Sequence, residues 1–159
     1  MELVFRPLEK AQAHEIIGWH YEPPYDVYNI DDGDTTAVMQ DLLRPEYAYH
    51  AILTQAGELI AFCCFGQDAQ VPGGTYDADA LDIGLGVRPD LTGQRQGQAY
   101  VQAVLDFARR VPAPRLYRAT IAAFNARAQR VWTRAGFRLV ERFLSTHSHQ
   151  PFVILTYGI

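Results

Sequence analysis

The segment that most constrains the fold is LDIGLGVRPDLTGQRQGQAYVQAVLDFAR, residues 81–109. Its first part reads as a strand that Pro89 stops. A loop containing Gly93 and Gly97 follows, and the last part repeats apolar residues at helical spacing, namely Tyr100, Val101, Val104, Leu105 and Ala108. The loop therefore leads directly into a helix N-terminus, where free N–H groups and the helix dipole suit a pyrophosphate. An ordinary strand-turn-helix has the same pattern.

Length and hydrophobic content predict one domain, residues 1–159, because 48% of the 159 residues are hydrophobic and can form a core. The net charge of -4 disfavours nucleic acid as a partner. The N-terminus MELVFRPLEK carries charges where a signal peptide needs an apolar run, and no segment approaches the about 18 apolar residues of a membrane span. Adjacent Cys63 and Cys64 are expected to be buried and unpaired, which fits a reducing compartment. We expect a cytoplasmic protein without a membrane partner.

The remaining elements follow from apolar periodicity and turn residues. Their order, β-α-α-β-β-β-α-β-α-β-β, predicts a mixed sheet covered by helices, with parallel pairing after Arg88. The predicted strands are Glu2–Arg6, Tyr47–Leu53, Glu58–Phe65, Ala80–Arg88, Leu116–Ala122, Phe137–Phe143 and Phe152–Tyr157. The predicted helices are Glu9–Trp19, Thr35–Leu43, Gln96–Arg110 and Ala126–Ala135.

A second segment, ATIAAFNARAQRVWTRAGFRLVERF, has a strand that ends near Ala123, with Asn125 as a helix cap and Gly136 as a helix end. Together with residues 81–109 it resembles the GNAT acyltransferase superfamily, through the family's Asn-x-x-Ala...Gly-Phe segment and its cofactor loop. The resemblance implies an α/β (α+β) fold, with a mixed, mostly antiparallel central sheet of about seven strands and about four helices. It also implies acetyl-CoA as cofactor.

The family's cofactor loop has the pattern Gln/Arg-x-x-Gly-x-Gly/Ala, and two registers compete for it. The register 94–99 satisfies the letters, whereas 92–97 satisfies the distance from Pro89 and the phase of the helix. We prefer 92–97, in which Arg95 replaces a usual glycine and fits if its backbone is helical. The resemblance then implies these cofactor-binding residues: Leu85, Gly86, Val87, Thr92, Gly93, Gln94, Arg95, Gln96, Gly97, Gln98, Asn125 and Trp132.

The implied chemistry is direct attack of an amine on the thioester. An alkylamine must first lose a proton, which costs about 4–5 kcal/mol at pH 7. Asp82 lies where the family often places its acid or base, although a solvated strand-end carboxylate or a turn cap would look the same. Gly84 and Gly86 share the strand parity of Asp82 and are expected to leave space for a ligand.

The general acid is not assigned by the sequence. Many relatives have a tyrosine seven residues after the asparagine, and here that residue is Trp132. Tyr25, Tyr28 and Tyr117 are alternatives among which the sequence does not choose. The acceptor pocket is expected in the loop 20–34, with rings and carboxylates that suit a cation, namely Tyr21, Glu22, Tyr25, Asp26 and Tyr28.

No metal site is expected. Asp31, Asp32 and Asp34 resemble the start of a calcium loop, but Leu42 stands where the closing glutamate is required.

The function that the family resemblance implies is N-acetylation of a primary amine of a small molecule or peptide. Acetylation of a protein N-terminus or lysine, and a CoA-binding regulatory module without turnover, are the alternatives. Exposed sheet edges are compatible with a homodimer.

Overall fold

A computed structural model describes residues 2–30, 33–112 and 115–158 of the chain. Asp31 and Asp32 lie outside these ranges. The strands are β1 (Val4–Pro7), β2 (His50–Leu53), β3 (Leu59–Phe65), β4 (Leu81–Val87), β5 (Leu116–Ala122), β6 (Arg138–Leu144) and β7 (Pro151–Gly158). The helices are α1 (Lys10–Ile17), α2 (Thr35–Leu42), α3 (Gly97–Ala108) and α4 (Ala126–Arg134).

The seven strands form one sheet in the order β1-β2-β3-β4-β5-β7-β6. The pair β4–β5 is parallel, and the other neighbouring pairs are antiparallel. The parallel pair occurs where α3 connects the two strands, because parallel strands need a crossover connection. The predicted fold class, a mostly antiparallel mixed sheet with helices, is confirmed.

Helices cover both faces of the sheet. The largest core cluster includes Ile52 and joins α3 to the sheet, through Val101, Val104 and Leu105. The next residue along β2, Leu53, belongs to a second cluster with Ile16 of α1. Successive strand residues point to opposite faces, so α1 and α3 lie on opposite sides of the sheet. Among the described residues, no helix is long and apolar enough to cross a membrane.

The predicted elements are present, and the largest shift of an end is at β2. The prediction began this strand at Tyr47, but Tyr47 lies in a 3₁₀ turn, Pro45–Tyr47, and the strand begins at His50. Pro45 at the first turn position favours that turn over a strand. Cys63 and Cys64 are buried and unpaired, as predicted.

Candidate active site

A gap opens between β4 and β5 at the centre of the sheet. The paired residues of the two strands are Leu81 with Tyr117 and Asp82 with Arg118. On its other side β4 remains paired with β3 as far as Val87. The two central strands therefore diverge beyond Asp82, and one edge of β4 faces the gap.

The hydrogen-bonding directions along β4 show which residues face the gap. Arg88 donates its backbone N–H to the Ile60 carbonyl of β3 at 2.9 Å. Because these directions alternate along a strand, even-numbered residues of β4 face β3 and the backbone groups of Leu85 and Val87 face the gap. The hydroxyl of Tyr21 donates to the Val87 carbonyl at 2.6 Å. The other backbone groups of Leu85 and Val87 face the gap, and pairing of this edge with the pantetheine arm stays a prediction.

Asp82 is buried at the point where the gap begins. Arg118 donates to both of its carboxylate oxygens, from Nε at 2.6 Å and from Nη2 at 2.8 Å. Gln70 donates a third hydrogen bond at 2.9 Å. Hydrogen bonding to Asp82 raises the pKa of Arg118, and the guanidinium also donates to the Ala78 carbonyl and lies over the Tyr76 ring. These contacts favour a role in holding β4 to β5 and weigh against a role as base.

The expectation that Gly84 and Gly86 leave space for a ligand is wrong. A Cβ atom on Gly84 would lie 2.7 Å from the Cys64 sulfur, and one on Gly86 would lie 2.3 Å from the Phe62 ring. Side chains of β3 therefore fill the space that the missing Cβ atoms leave. The two glycines let bulky neighbours pack across β4 and do not create a cavity.

The loop before α3 has two residues in the left-handed region, Gly93 with φ of 73° and Arg95 with φ of 61°. The condition under which Arg95 would fit, a helical backbone, is therefore not met, and the left-handed conformation is the reason a glycine suits the position. Two side chains brace the loop from within. Thr92 Oγ1 donates to the Pro89 carbonyl at 2.7 Å, and Gln94 donates to the Asp90 carbonyl at 2.7 Å.

The N-terminus of α3 is open. Gln96 is the N-cap and makes no capping hydrogen bond with its side chain. A turn with two positive φ values, at Gly93 and Arg95, precedes it. This favours register 92–97, which ends at the first residue of α3, over register 94–99, which extends through the first three residues of the helix. Gln98, in the first turn, has a buried Oε1 without a partner among the described residues. The uncapped N–H groups are donors that a bound diphosphate would satisfy, whereas Gln98 Oε1 is an acceptor and needs a donor.

Arg127 of α4 borders the same loop. A Cβ atom on Gly93 would lie 2.9 Å from Arg127 Nη1, so the guanidinium lies against the loop. The guanidinium carbon also lies 4.6 Å from the centre of the Tyr25 ring. No carboxylate of the described residues forms an ion pair with Arg127. An unpaired cation thus lies beside the uncapped helix end.

The segment from Tyr21 to Tyr28 links both sides of the gap. Tyr21 bonds to β4, as described above. Tyr28 accepts hydrogen bonds from the Ala122 N–H at 3.3 Å and from Asn125 Nδ2 at 3.1 Å, at the end of β5. None of the described residues accepts the Tyr28 hydroxyl hydrogen. Burial raises the pKa of Tyr21 to about 12 and also raises the pKa of Tyr28, so both phenols are protonated at neutral pH.

A groove of about 450 Å³ lies beside this segment. Among the residues that the structure describes, Asp26 is the one carboxylate that lines the groove, and Gln150 is the other polar residue with a long side chain. Its walls are mostly apolar and include Pro24, Val27, Phe124, Pro151 and Phe152. Glu22 is exposed and does not line the groove. The groove therefore offers apolar surface and one negative charge.

Trp132 lies in the core. It is buried and packs edge-on against Phe137, with ring centres 4.9 Å apart. These contacts favour a packing role over contact with a cofactor.

Asn125 caps α4 as predicted, because its Oδ1 accepts from the Ala128 N–H at 3.0 Å. Among the described residues, no cluster of three or more histidine, cysteine or acidic side chains could hold a metal ion.

The sequence matches the family described as Acetyltransferase (GNAT) family over residues 13–137. The chain therefore belongs to the GNAT acetyltransferase family, as the resemblance indicated. No curated protein matches the sequence significantly.

Solved structures with this fold have low sequence identity to the chain. A chimera of the spermidine N-acetyltransferase SpeG from Vibrio cholerae and hSSAT is 13% identical, with a TM-score of 0.73, covering 99% of this chain and 96% of its own. Aminoglycoside acetyltransferase AAC(6')-Ib in complex with coenzyme A is 15% identical, with a TM-score of 0.75 and coverages of 99% and 95%. Arabidopsis thaliana NAA60 in complex with acetyl-CoA is 17% identical, with a TM-score of 0.63 and coverages of 99% and 99%. Likeness at this level shows a shared fold.

Three residues of the site were not found from the sequence: Arg118, Gln70 and Arg127. For Arg118 a signal was present, because it is the one charged residue in the otherwise largely apolar strand LYRATIA. A charge at a buried strand position needs a partner of opposite charge. For Arg127 the sequence carries no comparable signal, since arginines are frequent along the polar face of α4.

Proposed function

We propose that this protein is an N-acetyltransferase that transfers the acetyl group of acetyl-CoA to a primary amine of a small molecule or peptide. The observation that carries the proposal is the gap beyond Asp82, where the backbone edge of β4 that faces the gap leads to the uncapped N-terminus of α3. An extended arm and a diphosphate fit these two adjoining features, and few other ligands combine both.

The chain's own groups would hold the cofactor in two places. Leu85 and Val87 would pair through their backbone groups with the pantetheine arm, as an added strand would. The backbone N–H groups of residues 93–98 would bind the diphosphate, because they converge at the positive end of the α3 dipole. When bound, acetyl-CoA supplies an acetyl group activated as a thioester.

The acceptor amine would lie in the groove beside the segment Tyr21–Tyr28. Asp26 would attract the ammonium group, and the apolar walls would hold an apolar body. Because Asp26 is the one carboxylate among the described lining residues, the groove suits a monoamine with an aryl or alkyl group better than a polycation. The groove is open, so water can accept the proton that the amine must lose.

Tyr28 is the residue we propose as general acid. Its oxygen accepts two N–H groups, from Ala122 and Asn125, and its hydroxyl hydrogen remains available. These two donors hold the phenol at the end of β5, beside the gap. The proton on Tyr28 Oη can therefore pass to a leaving group in the gap and be replaced from solvent. The tyrosine from the α1–α2 segment would thus serve in place of one at position 132.

The test measures thiol release from acetyl-CoA with a panel of amines, and identifies the acetylated product by mass spectrometry. The panel comprises 2-phenylethylamine, spermidine, an aminoglycoside and a short peptide with a free N-terminus. We expect the highest kcat/KM with 2-phenylethylamine. Acetylation of the peptide alone would indicate a protein acetyltransferase. Binding of CoA without transfer to any amine would contradict the proposal and favour a regulatory module.

Tyr28→Phe tests the proton donor. We expect kcat to fall about 100-fold, the usual scale of acid catalysis, with little change in the Kd of CoA. Tyr47→Phe, which removes a hydroxyl from a distant 3₁₀ turn, is the matched control and should keep wild-type kcat. Unchanged kcat in Tyr28→Phe would rule out this role.

A further inference from the structure

Arg127 is the residue that contacts both the phosphate-side loop and the acceptor-side segment. Its Nη1 atom lies against Gly93, so closely that a Cβ atom there would be 2.9 Å away. Its guanidinium carbon lies 4.6 Å from the centre of the Tyr25 ring on the other side. One side chain therefore spans the two loops that the proposed cofactor and acceptor would occupy.

The position of Arg127 is electrostatically unfavourable in the absence of an anion. It lies in the first turn of α4, where the helix dipole disfavours a positive charge. It also has no carboxylate partner among the described residues. The adjoining α3 N-terminus is positive as well, and no side chain caps it. An anion bound between Arg127 and the α3 N-terminus would form charge-assisted hydrogen bonds with the guanidinium.

The Tyr25 ring connects Arg127 to the acceptor-side segment through direct contacts. Tyr25 packs against Phe124, with ring centres 5.5 Å apart, and begins the 3₁₀ turn Tyr25–Tyr28. Phe124 and Val27 are both on the wall of the groove. A guanidinium stacked on the ring restrains this turn, and the strength of the stack depends on where the guanidinium is held.

We propose that Arg127 binds the cofactor's diphosphate and, through its stack on Tyr25, makes the order of the segment Tyr21–Tyr28 depend on cofactor occupancy. This inference rests on the cofactor site of the proposed function. It adds a consequence, namely that the cofactor binds first and completes the groove for the amine. The coupling is reciprocal, so an amine held in the groove should tighten CoA binding by the same factor.

The first experiment measures the Kd of CoA and of dephospho-CoA by calorimetry. Arg127→Ala should weaken both by about tenfold, the usual scale of a charge-assisted hydrogen bond. Arg127→Gln, which retains much of the side-chain stem, should behave alike. The matched control is Arg130→Ala, an exposed arginine on the same helix, which should keep the wild-type Kd within about twofold. A wild-type Kd in both Arg127 variants would overturn the proposal, as would weakening for CoA but not for dephospho-CoA.

The second experiment measures hydrogen exchange in the peptide that contains Tyr21–Tyr28, with and without saturating CoA. We expect CoA to slow exchange in the wild type and in Arg130→Ala, but not in Arg127→Ala. Tyr25→Leu should bind CoA within about threefold of wild type and lose the protection, because the ring transmits the effect and does not bind the anion. Equal protection in all variants would overturn the coupling.

Failure of this inference is distinguishable from failure of the proposed function. If the wild type binds CoA and acetylates amines while the Arg127 variants behave like it, the inference alone is wrong. If the wild type binds no CoA, both are wrong. Thermal unfolding of each variant identifies any loss of fold, and Arg127→Gln then replaces Arg127→Ala in the comparison.

Discussion

The two strand-to-helix connections beside the gap are built differently. Between β5 and α4, residues 123–125 suffice, and Asn125 caps the helix with its own side chain. Between β4 and α3, residues 88–96 form a longer loop with two positive φ values and leave the helix without a side-chain cap. The difference shows that a helix N-terminus can be satisfied within the protein or kept free for a ligand.

The first prediction concerns the buried ion pair of Asp82 and Arg118, which joins β4 to β5, the strands that precede the two connections. Asp82→Asn leaves the buried Arg118 charge without its partner, so we expect the free energy of unfolding to fall by about 3–5 kcal/mol. Urea denaturation measures it, and the exposed Asp79→Asn should change it little. A folded Asp82→Asn protein with wild-type stability and an altered pH–rate profile would instead show that Asp82 is the base.

The second prediction tests the loop before α3. Gly93→Val introduces a β-branched residue at a φ of 73° and a Cβ atom 2.9 Å from Arg127. We expect CoA binding to weaken at least about tenfold, because the strain costs about 1–3 kcal/mol or distorts the loop. Ala99→Val, at an exposed position of α3, should have a small effect. Calorimetry would favour the other register if the order of the two effects were reversed.

The third prediction makes the α3 N-terminus resemble that of α4. Gln96→Asp places a negative charge at the open helix end, which should stabilise the free protein by about 0.3–1 kcal/mol through the helix dipole. The same charge should repel a diphosphate and weaken CoA binding severalfold. Gln96→Asn is the neutral control. Equal CoA affinity in the aspartate and asparagine variants would show that the phosphates bind elsewhere.

The positions of the two strand-to-helix connections were predictable from the sequence, but the side-chain contacts around them were not. Apolar spacing at Tyr100, Val101 and Val104 fixes the phase of α3, and the loop must therefore precede it. The pair of Asp82 and Arg118 depends on the register between two parallel strands, which local periodicity does not determine.

The contacts of the acceptor side are even less local. Tyr21 contacts Val87 and Tyr28 contacts Asn125, at sequence separations of 66 and 97 residues, because the segment folds back over both central strands. The sequence predicted these tyrosines as acceptor-site residues from the composition of the loop 20–34 and from the resemblance, which places the family's acceptor pocket there. Their partners follow from tertiary packing of an irregular segment, for which no periodic pattern exists.

The fourth prediction concerns Arg95, the least usual residue of the open connection. Its φ of 61° is unfavourable for any residue with a Cβ atom, by roughly 1–2 kcal/mol. Arg95→Gly and Arg95→Ala both remove the charge, but only glycine relieves the backbone strain. After allowance for the entropy of glycine in the unfolded chain, the free energy of unfolding of Arg95→Gly should exceed that of Arg95→Ala by about 1 kcal/mol.

Thermal unfolding should show this difference as about 2–4 °C. The Kd of CoA in the same two variants separates backbone from side chain. Equal weakening in both would indicate that the Arg95 guanidinium binds phosphate, whereas weakening in Arg95→Gly alone would indicate that the loop must be held rigid. Because the backbone N–H groups at the uncapped end of α3 would supply the main phosphate contacts, we expect both variants to stay within about threefold of wild-type affinity.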